Sequence, residues 1–268
     1  MKIVKIPKTD IYTSRLGFGT SSLHHLYFKS QRRKLIFSAL DSGFRYFDTA
    51  RMYGDGLCER SLGESIPSSL RSEITLSTKF GIQANPIFEK FPLLMYSSKI
   101  SNKILKNKIR NIKRDISLRS IRSSLNKSLD SLNTDWIDIF FLHEPTVEDI
   151  PTLKKSIEWL IEQKKNGKIR YLGLAGNAMQ CIQVNEYFSN IFDILQVEDS
   201  IEKKESNVLI LNDMPIQITF GYIRQSALLT NNFNPMESLR KGLIQNKNGV
   251  VIVSSRNPHR ISKMAKLT

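Results

Sequence analysis

The chain has 268 residues, 40% of them hydrophobic, and a formal net charge of +15. That content excludes a disordered polymer, and the length suits one large α/β barrel filling residues 1–268 as a single domain. Only Cys58 and Cys181 are present and no apolar run could span a bilayer, which argues against a disulfide scaffold, a cysteine metal site or a membrane span, and points to a reduced, cytoplasmic protein.

Lys2 to Ile6 and Tyr12 to Arg15 read as a hairpin turned by Pro7-Lys8-Thr9-Asp10. Leu16-Gly17-Phe18-Gly19-Thr20 follows as the first barrel strand, its glycines permitting close approach of backbone or ligand. Ser30 is expected to cap a helix to Ser42, which Gly43 ends. Alternation then repeats. Strands are expected at Arg45–Asp48, Ile74–Phe80, Trp136–Leu142, Ile169–Ala175, Ile194–Val197, Ile216–Phe220 and Val250–Val253. Helices are expected at Leu57–Ile66, Leu118–Leu132, Asp149–Asn166 and Pro235–Asn246, and one opened by Pro258. No dinucleotide fingerprint follows the first strand, which disfavours a doubly wound sheet.

The fold expected is therefore α/β: a (β/α)8 TIM barrel with an N-terminal β-hairpin and a long insertion at 81–117, after the third barrel strand. The chain stops at Thr268, just past the last helix, so a truncated C-terminal tail completes the expectation. From Lys99 to Arg119 the basic residues Lys103, Lys106, Lys108, Arg110, Lys113 and Arg114 face the single acid Asp115, and the insertion is expected to act as a lid or an outward flap over the ligand face. Elsewhere the lysines are scattered. The positive charge is read as solvated surface with no specific nucleic-acid partner, in a monomer or weak homo-oligomer.

Polar groups stand at the ends of apolar strands, where barrel enzymes do chemistry: Asp48, Lys79 and His143, with Tyr53 in the loop after Asp48. Tyr53 is a candidate proton donor. A nearby lysine would stabilise its anion and lower its pKa, and Asp48 would pair that lysine. Packing roles are the alternative for each residue alone. The four histidines make no zinc set, and no metal is expected. Ser254-Ser255-Arg256-Asn257-Pro258-His259-Arg260 joins the last strand to the last helix, where free amides and two arginines would suit phosphate.

Several segments resemble the aldo-keto reductase superfamily in order and spacing. They are Leu16-Gly17-Phe18-Gly19-Thr20, Phe47-Asp48-Thr49-Ala50 with Met52-Tyr53-Gly54, Ser77-Thr78-Lys79-Phe80, Leu142-His143-Glu144-Pro145, Gln196-Val197-Glu198 and Ser255-Arg256-Asn257-Pro258. The resemblance implies reduction of a small-molecule carbonyl, possible substrates including sugar-like ones, by NADPH or less often NADH. It makes Tyr53 the general acid, Lys79 and Asp48 its tuners, and His143 the group that orients the carbonyl. It places Gly19, Thr20 and Asp48 beside the nicotinamide, Gln196 and Asn177 at its carboxamide, and Phe220 beneath it. Ser254, Ser255, Arg256, Asn257 and Arg260 would take the phosphate end. The chain departs from the pattern at Ala175-Gly176 and at Ser254, where a serine stands in the place of a lysine. A weak or inactive protein of this fold, binding NADP(H) or a protein partner in a regulatory role, is the alternative.

Overall fold

A computed structural model describes residues 1–92, 94, 113–229 and 233–268. Most of the basic run, Lys103 to Arg110, lies outside the described residues, as does the body of the expected lid.

Ile3–Lys5 (β1) pairs antiparallel with Tyr12–Ser14 (β2) as the expected hairpin. Eight further strands then close a parallel barrel: β3 (Leu16–Gly19), β4 (Tyr46–Asp48), β5 (Thr75–Phe80), β6 (Ile137–His143), β7 (Ile169–Gly176), β8 (Ile194–Glu198), β9 (Ile218–Phe220) and β10 (Val250–Val253). Each pairs with its neighbour in sequence, and β10 returns to β3 with Ile252 opposite Gly17. The (β/α)8 expectation holds.

Alternation along the strands sorts side chains into two layers. Phe18, Phe47, Leu76, Phe80, Phe140, Leu142, Leu172 and Leu195 join the buried layer shared with the helices. The other parity faces the lumen, where Tyr46, Ile139, Phe141, Ile194, Ile218 and Val250 pack together. Gly17 serves this packing: a Cβ there would lie 2.8 Å from Cδ1 of Tyr46. Ile6 and Ile11 of the hairpin are buried against the same lumen cluster. Gln217 Nε2 donates to the Pro7 carbonyl at 2.8 Å, and the Asp10 amide donates to the Tyr171 hydroxyl at 3.1 Å. The hairpin therefore lies across the end of the barrel where the strands begin.

Two local expectations are corrected. The first helix runs Lys29–Asp41, so Ser30 lies inside it; its opening is held by Gln31, whose Oε1 accepts from the Phe28 amide at 3.3 Å. The helix expected over Asp149–Asn166 is interrupted, giving Ile150–Lys154 and Ile157–Lys165. Ser156 is buried at the break. In the stem of the excursion after β5, Ile82 bridges to Arg114 and the Gln83 amide donates to the Lys113 carbonyl at 2.9 Å.

Candidate active site

The lumen-facing parity that buries Tyr46 on β4 puts Asp48 one step nearer the strand ends. The same alternation gives Ser77 and Lys79 on β5, Phe141 and His143 on β6, and Gln196 and Glu198 on β8. Gly19, Asp48, Tyr53, Lys79, His143, Gln196, Phe220 and Ser254 all line one cavity of about 400 Å³ at the strand C-termini. Glu144, Glu198 and Arg224 line it too.

Lys79 is buried, with its ammonium 2.7 Å from each carboxylate oxygen of Asp48 and 2.9 Å from the Thr49 carbonyl. Ser77 Oγ donates to Asp48 Oδ1 at 2.9 Å. A buried lysine requires such pairing. Burial pulls its pKa down against the opposing pull of Asp48. The Tyr53 ring sits over this pair: Lys79 Nζ is 5.0 Å from its centroid, and the His143 ring meets it edge to face at 5.9 Å.

The sequence expectation that Lys79 lowers the phenol pKa is corrected. Burial pushes Tyr53 well above the ordinary phenol range, with Asp48, Cys58 and Glu144 adding to the rise. The ammonium's hydrogen bonds go to Asp48 and Thr49. The phenol is consequently protonated throughout the neutral range. His143 is held well below the usual imidazole value by burial first, then by Lys79 and Arg114. It is neutral at pH 7 and retains one ring N–H to donate. Burial and Glu198 raise Glu144.

The fit to a nicotinamide cofactor rests on an unpaired atom. Gln196 is buried at the cavity wall, and its Oε1 has no hydrogen-bond partner among the described residues. A buried amide oxygen left so is costly unless a ligand satisfies it, as a carboxamide N–H would. Phe220 supplies an apolar wall. Tyr222 lines the same cavity, but its hydroxyl donates to Asp199 at 2.6 Å and its ring packs beside Gly242.

Other expected cofactor residues stand differently. Asn177 is exposed and caps the helix Ala178–Tyr187, accepting from the Gln180 amide at 3.1 Å, so the structure does not bring it to the carboxamide position. Thr20 is buried and bonds back to the Asp48 carbonyl at 3.0 Å. The amides expected to be free at the start of the helix Pro258–Ala265 are taken: Asn257 Oδ1 accepts from His259 at 2.9 Å and Arg260 at 3.4 Å. Ser255 Oγ accepts from the Asn257 amide at 3.1 Å, and Ser254 Oγ meets Ser22 Oγ at 2.8 Å. Charge is what remains for phosphate: Arg256 and Arg260 are exposed and make no ion pair among the described residues.

Glu144, Glu198 and Arg224 on the cavity wall are not among the site residues expected from sequence. Glu198 was available from strand period alone, two residues beyond Gln196. Arg114 was missed as well. Its guanidinium donates to the His143 carbonyl at 2.7 Å and pairs with Asp149.

Comparison with known proteins agrees with this geometry. The model of the Aldo/keto reductase family matches residues 15–209. Among curated proteins, "Uncharacterized oxidoreductase YqkF" of Bacillus subtilis (strain 168) is 25% identical over 262 residues, covering 91% of this chain and 77% of that protein. "NADH-specific methylglyoxal reductase" of Escherichia coli (strain K12) is 29% identical over 209 residues, covering 75% of this chain and 60% of its own length. Among solved structures, the holo form of aldo-keto reductase AKR11C1 from Bacillus halodurans superposes with a TM-score of 0.75 at 21% identity, covering 100% of this chain and 90% of its own. With the family model spanning most of the barrel, the chain belongs to the aldo/keto reductase family of NAD(P)H-dependent oxidoreductases.

Proposed function

We propose that this protein reduces a small aldehyde or ketone to the alcohol, preferring NADPH, with Tyr53 as the proton donor. The carrying observation is the placement of the Tyr53 ring between the Lys79 ammonium, 5.0 Å from its centroid, and the His143 ring at 5.9 Å. The chemistry supplied by the bound nicotinamide is a hydride for the carbonyl carbon. Tyr53 gives its phenolic proton to the carbonyl oxygen as charge develops there. The developing alkoxide is far more basic than the carbonyl it replaces, so the proton held firmly at rest is released as it forms. Asp48 keeps that ammonium in place. Neutral His143 donates its ring N–H to the same oxygen and fixes the carbonyl's orientation. Gln196 would hold the carboxamide, and Arg256 and Arg260 the phosphate end.

Glu144 and Glu198 outnumber Arg224 on this wall, which favours neutral, hydroxylated substrates over anionic ones. Sugars and small hydroxyaldehydes fit this character. A second reading, a weak or inactive regulatory protein binding NADP(H) or a partner, draws on the commitment of Asn177 to its helix cap.

One experiment separates the readings. Loss of nicotinamide absorbance is followed with NADPH and NADH in parallel, over a panel of aldoses, methylglyoxal and glyceraldehyde. Turnover that Tyr53→Phe cuts to a small measurable residual while NADPH still binds supports the enzyme. Cofactor binding with no turnover on any substrate supports the second reading, and failure to bind either cofactor refutes the enzyme and leaves only the partner-binding form of the second reading.

A further inference from the structure

Resting on Tyr53 as proton donor, the structure assigns a positioning role to Arg51: its buried guanidinium holds the loop that carries Tyr53, and ties that loop to the stem of the excursion after β5.

The loop is awkward in itself. Gly54, Asp55 and Gly56 are successive residues in the left-handed region, with φ of 57°, 51° and 86°. Glycine accepts that conformation; Asp55 does so against its preference. Such a backbone persists only where the surroundings determine it. Arg51 provides those surroundings from inside. Both its terminal nitrogens would lie 3.3 Å from a Cβ built on Gly56, so the guanidinium lies within the curve of the loop.

The charge is then held on two sides. Its side chain is 3% exposed and pairs with Glu59, fully buried on the helix Leu57–Ser65, and with Glu89, on the short helix Pro86–Lys90. Each partner is anchored in turn. Thr78 of β5 and Ser128 of the helix Leu118–Leu132 both donate to Glu59 Oε1 at 2.6 Å. Lys127 donates to Glu89 Oε2 at 2.7 Å. A second link joins the same pieces, since the Asn85 amide donates to Asp55 Oδ1 at 2.8 Å.

A buried ion network is a poor source of stability compared with apolar packing, but it tolerates only one geometry. Here that geometry sets where the Tyr53 loop stands relative to Lys79, the lysine one residue beyond Thr78. Glu89 belongs to the entry side of the excursion, so the seating of that segment and the placement of Tyr53 are one arrangement. Arg51 touches no reacting atom; it acts through Tyr53.

The test compares Arg51→Met, Arg51→Lys and Tyr53→Phe, singly and with Arg51→Met combined with Tyr53→Phe. Turnover per folded molecule should fall about tenfold or more in Arg51→Met, with NADPH affinity within about twofold of wild type. Arg51→Lys keeps the charge but lacks the fork that spans both carboxylates, so it should rescue only part of the loss. Adding Arg51→Met to Tyr53→Phe should cost nothing further, whereas general damage would multiply the two losses. Amide hydrogen exchange gives an activity-free readout: Arg51→Met should speed exchange across residues 50–58 while β6 and β7 keep their protection. Multiplying losses, or unchanged exchange in 50–58, overturns the assignment. If Tyr53→Phe itself keeps near-normal turnover, the proton-donor reading fails and exchange still decides the role of Arg51. Should Arg51→Met not fold, Glu89→Gln, which leaves the Arg51–Glu59 pair in place, is read by the same exchange measurement.

Discussion

Replacing Lys79 by Met strands a carboxylate. In the native fold Asp48 receives the Lys79 ammonium at 2.7 Å on both oxygens, and the side chains are 1% and 5% exposed. After Lys79→Met, the Ser77 hydroxyl at 2.9 Å remains the only other side-chain donor to Asp48 among the described residues, and the Thr49 carbonyl loses its Lys79 partner at 2.9 Å. Breaking a buried pair by removing one member costs about 3–5 kcal/mol. At about 2–4 °C per kcal/mol for a chain of this size, the melting midpoint should fall by roughly 6–20 °C. Asp48→Asn should also destabilise, by leaving the cation without its counter-charge. The double variant Asp48→Asn with Lys79→Met removes both charges, so it should fall short of the sum by about 1–3 kcal/mol. Urea unfolding of the four proteins at one pH, with m-values compared, measures this. Additive losses, or a Lys79→Met midpoint within about 2 °C of wild type, would show that the pair is not the buried, mutually dependent unit described.

Three further outcomes follow from the site. His143, held neutral by burial, Lys79 and Arg114, binds a proton more readily in the unfolded chain than in the fold. Stability should therefore fall as pH drops below about 6.5, by at most about 1.4 kcal/mol per pH unit from this group; His143→Gln should flatten that slope in pH-dependent urea titrations, and an unchanged slope would place its origin elsewhere. Arg256→Ala with Arg260→Ala should weaken NADPH about tenfold or more and leave NADH within about twofold, measured by fluorescence titration at fixed salt; equal losses would remove the arginines from the 2′-phosphate. Glu144→Gln should raise kcat/KM for an anionic aldehyde relative to glyceraldehyde by roughly threefold to tenfold, since it removes one rim charge, and an unchanged ratio would mean that the rim does not read substrate charge.

The barrel was legible because its strands are short apolar runs that stop at polar residues. Asp48, Lys79 and His143 could be placed on one face from that pattern alone, since a strand end in a parallel barrel has only one side to meet on. Tyr53 followed from its loop. Asn177 and Asn257 were harder: asparagine is equally a ligand group and a helix cap, and only coordinates show the bond to Gln180, or to His259 and Arg260. The direction of the Tyr53 shift was misread because a sequence shows a lysine nearby but not the desolvation around the phenol. Arg51 could not be read at all, as its partners lie 8 and 38 residues away on separate helices.

The hairpin that buries Ile6 and Ile11 in the lumen makes the barrel a blind well. Among the described residues, the way from solvent to Asp48 and Lys79 is the cavity at the strand C-termini, which Glu144, Glu198 and Arg224 help to line. A ligand satisfying Gln196 and a substrate meeting Tyr53 would then share one doorway. Where two ligands share that doorway, the one bound nearer the rim obstructs exchange of the other.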